Sequence, residues 1–95
     1  MNMKESYRQK LQAQLDQWSA EIDKIKARAD KADADVKLEY SEQIEDLRVK
    51  QQAAKEKLAG LLSASDDAWE DLKAGVESAW LTLGEAIDRA AARIK

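Results

Sequence analysis

The sequence predicts an all-α protein. It reads as a long helix plus a shorter second one, folded as an antiparallel hairpin with hendecad coiled-coil packing and self-associating into a helical bundle. The first observation is a spacing of eleven: Ile25, Val36, Leu47, Leu58, Trp69, Trp80 and Ala91 form one series. Tyr7, Trp18, Ala29 and Tyr40 form a second, and Leu61, Leu72, Leu83 and Ile94 a third. Eleven residues fit three helical turns at about 3.67 residues per turn, so such a stripe stays on one side of a helix. The second observation is composition: Pro is absent, Gly occurs 3 times and charged residues make up 37%. Helix formers fill the rest, as in long helices and coiled coils. The third is that 44% hydrophobic content lies on a regular stripe, which argues for order despite the charge.

The first helix is expected over about residues 4–59. Its stripe includes Tyr7, Leu11, Leu15, Trp18, Ile22, Ile25, Ala29, Ala32, Val36, Tyr40, Ile44, Leu47, Ala54 and Leu58. Steps of three and four alternate there with no interior Gly or Pro. Asp33 with Lys37 and Asp46 with Lys50 have i,i+4 spacing, which favours helix by a few tenths of a kcal/mol per pair. At ~1.5 Å per residue the helix would reach roughly 80 Å.

A hinge is expected at about 60–65, within Gly60-Leu61-Leu62-Ser63-Ala64-Ser65. Gly60 suits the left-handed position after a helix C-terminus. Ser65, Asp66 or Asp67 suits the next N-cap, and Asp67 with Glu70 has capping-box spacing. The competing reading is one uninterrupted helix, because Leu58, Leu61 and Leu62 continue the stripe and Gly costs a helix only about 1 kcal/mol.

The second helix is expected over about 66–94, with Trp69, Leu72, Val76, Trp80, Leu83, Ile87 and Ile94 as its large residues. Beside them runs a row of small ones, Ala68, Gly75, Ala79, Ala86 and Ala90, which would let a neighbouring helix approach closely on that flank. So wide an apolar face fits two partners, as in a bundle. Folded back, this helix covers only the later half of a 55-residue first helix (roughly, from the pattern). Trp18, Ile22 and Ile25 would lie bare, and a homo-oligomer, a dimer or higher, is the expected remedy. Ala27, Leu38 and Val49 make a further partial series on the opposite side, readable as a second oligomer contact or as scattered surface residues.

The chemistry available is narrow. Histidine and cysteine are both absent, which removes the usual general base, the thiolate nucleophile and the soft metal ligands. Asp30, Asp33 and Asp35 lack the Gly turn and terminal Glu of a calcium loop and read as a solvated acidic face. Glu42, Glu45 and Asp46 read the same way. No enzyme, cofactor, metal or catalytic residue is expected. Net charge is −3, carried by residues 66–95, while residues 1–65 hold twelve acids and twelve bases. Such a balance offers no basic patch for nucleic acid. Met1 to Lys10 is polar, unlike a secretory signal, and no apolar run could span a bilayer; a cytoplasmic protein is expected. Trp69 and Trp80 read as core anchors rather than a ligand platform.

Three stretches together resemble a group of small bacterial coiled-coil proteins often labelled as stress-response proteins. They are Tyr7-Arg8-Gln9-Lys10-Leu11-Gln12-Ala13-Gln14-Leu15-Asp16-Gln17-Trp18, Ala20-Glu21-Ile22-Asp23-Lys24 and Asp67-Ala68-Trp69-Glu70-Asp71-Leu72-Lys73-Ala74-Gly75-Val76-Glu77-Ser78-Ala79-Trp80. The resemblance implies a cytoplasmic bacterial coiled coil of unknown biochemical activity, with no catalytic motif to carry over. Leu81-Thr82-Leu83-Gly84 departs from the more charged continuation of that group and leaves Leu81 on the outer side. The function expected is a non-enzymatic coiled-coil interaction or structural protein, self-associating, with a stress-related scaffold or protective role toward other proteins. The alternative is an amphipathic helix that binds a membrane surface, which eleven-residue repeats with Trp also suit.

Overall fold

The computed structural model describes residues 3–94. It is all-helical, with three helices of nearly equal length: α1 (Met3–Asp30), α2 (Ala34–Leu62) and α3 (Asp66–Arg93). They pack as a rod of 51 × 21 × 17 Å. Helices α1 and α3 run parallel, because Lys4 meets Asp66, Tyr7 meets Trp69 and Trp18 meets Trp80, all at a separation of 62 residues. Helix α2 runs antiparallel to both: Arg48 reaches back to Asp23, and the Tyr40 hydroxyl donates to the Arg93 carbonyl.

The expected helix over 4–59 is therefore corrected. It breaks at Lys31–Asp33, where Lys31 and Ala32 N–H donate to the carbonyls three residues back and close α1. Asp33 takes the extended N-cap conformation before α2, and its carbonyl accepts from Val36 and Lys37. Two physical reasons converge. The stripe is at its smallest here, Ala29 and Ala32, so a straight helix gains little by continuing. Asp competes poorly in helix interiors and well at N-caps. Three aspartates within six residues, read as a solvated face, were that boundary.

The hinge at 60–65 appears as a break at Ser63–Ser65, so the uninterrupted helix is also corrected. Gly60 is not its cause. It lies inside α2, and no glycine has positive φ among the described residues. The stop comes at Ser63, whose N–H and hydroxyl both donate to the Ala59 carbonyl. Ser65 is the N-cap of α3, without a side-chain cap hydrogen bond, and the Asp67–Glu70 capping box does not set the start.

With two breaks instead of one, α1 lies along α2 and α3. Ile22 and Ile25 are 0% exposed, so the bare half that motivated self-association does not exist. Each such side chain contributes roughly 1.5–3 kcal/mol by leaving water. The core runs the length of the rod, through Leu15, Ile22 and Ile25 of α1, Leu47, Ala54 and Leu61 of α2, and Val76 and Leu83 of α3. Helices α2 and α3 share the most extensive contact. Two members of the small row of α3, Ala86 and Ala90, lie there beside Gln43 and Leu47 of α2.

Among the described residues one uncharged amide side chain, Gln51, is buried with this core. It is 5% exposed, and its Nε2 has no hydrogen-bond partner. An unsatisfied buried amide costs about 1–3 kcal/mol. Gln51→Leu is expected to raise stability by roughly that amount, seen as a higher urea midpoint at unchanged slope.

Candidate functional site

The site is a groove along the outside of the α1–α3 seam, the least intimate of the three helix pairs. Aromatic rings hold these helices apart. Tyr7 and Trp69 meet edge to face at 5.9 Å between centroids, and Trp18 and Trp80 meet at 6.4 Å, three turns further along. Above each pair the groove widens. The first hollow, of about 570 Å³, is bordered by Met3, Tyr7, Lys10, Trp69 and Lys73. The second, of about 370 Å³, is bordered by Gln14, Trp18, Trp80, Leu81 and Gly84. Met3 and Leu81 stand at the rims, 86% and 66% exposed.

Charge is graded along it. The first hollow carries Lys4, Lys10 and Lys73 against Asp66 and Glu70, and the second carries only Glu85 and Asp88. Lys4 lies over the Trp69 ring at 5.0 Å and pairs with Asp66 at 2.8 Å; Lys73 lies over Tyr7 at 5.4 Å. Such cation–π contacts fix the rings and keep ammonium groups at the mouth. The Lys4 ammonium also lowers the Asp66 pKa. The Tyr7 hydroxyl is buried without a hydrogen bond of ordinary geometry. Burial first, then the nearby Glu77 carboxylate, raises its pKa.

Gly84 sets the depth of the second hollow. A Cβ there would sit 3.2 Å from Trp18 Cζ2, so the ring rests against bare backbone.

Of the residues expected to pack, Leu11, Ile22, Ile25, Ile44, Leu47, Leu58, Val76, Trp80, Leu83 and Ile87 are buried. Tyr7, Trp18, Val36, Tyr40 and Trp69 are half-buried, and Leu72 is exposed at 43%. The stripe thus divides: its aliphatic members other than Val36 and Leu72 fill the core with Trp80, while Tyr7, Trp18 and Trp69 form the floor of the groove. The sequence reading missed Met3, Lys73 and Gly84 as parts of one surface. Leu81, out of phase with the stripe, was its visible signal.

Among the described residues no cluster of three or more acidic side chains is placed to hold a metal ion, and no helix is long and apolar enough to cross a membrane. Asp46 is paired with Lys50 instead. Compared with protein-family models, curated proteins and solved structures, the chain returned no match.

Two outcomes follow from the groove's construction. Because native Tyr7 holds its proton above the ordinary value of about 10, stability is full below that pH and declines as pH rises through the window above it. Tyr7→Phe is expected to flatten that alkaline decline in pH-dependent melts, with little loss at neutral pH. Gly75→Ala meets nothing within 4 Å and is expected to gain about 0.5–1 kcal/mol of helix propensity. Gly84→Ala is expected to forfeit that gain by displacing Trp18, visible in tryptophan emission.

Proposed function

We propose that this protein is a non-enzymatic interaction module that receives an amphipathic helix of a partner protein in the α1–α3 groove. The observation that carries the reading is the pairing of two aromatic-floored hollows three turns apart with the exposed rim residues Met3 and Leu81. Helix-in-groove recognition uses large apolar anchors at helical spacing. The occupant this geometry favours carries two such anchors about three turns apart, acidic residues toward Lys4, Lys10 and Lys73, and basic residues toward Glu85 and Asp88. The stress-related scaffold role implied by the resemblance is compatible with such binding, and the eleven-residue series is proposed to pack in hendecad fashion within the bundle.

The membrane-surface reading has less support, because the stripe that would face lipid is turned into the core.

The test uses the full chain and synthetic amphipathic helical peptides with leucines eleven residues apart, opposite charges at the two ends, and both charge polarities. One polarity is expected to shift tryptophan emission saturably, and Leu81→Glu is expected to weaken it at least tenfold, the loss of about 1.4 kcal/mol. Indifference of the emission to every peptide would end this proposal. A shift with phosphatidylcholine or phosphatidylglycerol vesicles instead would favour the lipid surface.

A further inference from the structure

The outer face of α2 has a pattern that the groove does not use. Leu38 and Val49 are 71% and 58% exposed and eleven residues apart, so both point straight away from the core. Ala27, grouped with them in the sequence, lies on α1 across the Lys31–Asp33 break and does not continue this strip. Its continuation is Gly60, eleven residues beyond Val49, where a Cβ would meet nothing within 4 Å.

Charge on α2 is split about the same centre. Asp35, Glu39, Glu42, Glu45 and Asp46 stand before residue 47 with only Lys37; Arg48, Lys50, Lys55 and Lys57 follow with only Glu56. Asp46 is engaged by Lys50 and Arg48 by Asp23 within the chain. Glu42, Glu45, Lys55 and Lys57 form no ion pair among the described residues.

We propose that α2 is a self-recognition face, on which a second copy of this chain docks antiparallel about a two-fold axis at Val49. That axis sets Val49 against Val49 and drops each Leu38 onto the open backbone at the partner copy's Gly60. On one side of the seam Glu42 comes within one residue of the level of Lys57 of the other copy, and on the other side Glu45 comes within a turn of Lys55. A face that is acidic in one half and basic in the other is complementary to itself only when the two helices run in opposite directions. The register also sets like charges level, Glu42 with Glu56 and Arg48 with Lys50; within its own chain Glu56 accepts from Gln52, Arg48 pairs with Asp23 and Lys50 with Asp46. The docked pair leaves both α1–α3 grooves on its two outer sides. The inference does not rest on occupancy of the groove.

Equilibrium sedimentation of the full chain from about 20 μM to 1 mM tests it. The expected result is a monomer–dimer equilibrium weakened by high salt, because the selecting charges are solvent-exposed. Two charge-reversed chains, Lys55→Glu/Lys57→Glu and Glu42→Lys/Glu45→Lys, are each expected to dissociate roughly tenfold or more beyond wild type. Mixed one to one, they are expected to recover a heterodimer, a gain that misfolding of either chain could not produce. A wild-type mass of one chain at 1 mM, dimers indifferent to the reversals, or a mixture that stays monomeric would each overturn the proposal. Peptide binding to the groove is read separately, so either proposal can fail alone.

Discussion

The two flanks of α3 govern this molecule. On one, Ala86 and Ala90 let α2 close in; on the other, Trp69 and Trp80 meet rings from α1 that cannot be compressed. Interior packing tolerates few voids, so side-chain size sets helix separation. A bundle with one tight seam and one wide seam must open along the wide one. The groove is thus a by-product of satisfying the core.

That division also separates stability from recognition. The aliphatic residues Ile22, Ile25, Leu47 and Leu83 are withdrawn from water and hold the rod together. Tyr7, Trp18 and Trp69 are half in and half out, which suits amphipathic rings at a binding surface. Lysines over two of those rings keep the mouth wetted while the floor stays apolar. The charged surface of α2 obeys a different logic, in which the order of charges along a helix matters more than their sum.

Much of the fold was legible because a stripe reports which side of a helix is buried. Most core members followed from spacing, whereas the break after Leu62 was signalled by the Ser and Asp residues suited to the next N-cap, against a stripe that runs on through Leu61 and Leu62. The Lys31–Asp33 break was not legible, because no Gly or Pro marks it and the stripe's period continues across it. Only the combination of small alanines with aspartates signalled that bending would gain more than extending. That single omission propagated: an overlong first helix left Ile22 and Ile25 exposed and made oligomerisation look obligatory. Gln51 was illegible for a different reason, since its burial is imposed by neighbours on other helices. The groove was half visible, its aromatics assigned wholly to the core and its outlying Leu81 correctly placed outside.

An odd number of equal helices has a topological result. Residue 3 and residue 93 emerge at opposite poles, about 40 Å apart for helices of this length. Anything fused at both ends would be held at a fixed distance by a stiff strut, whereas a two-helix hairpin would bring its attachments together.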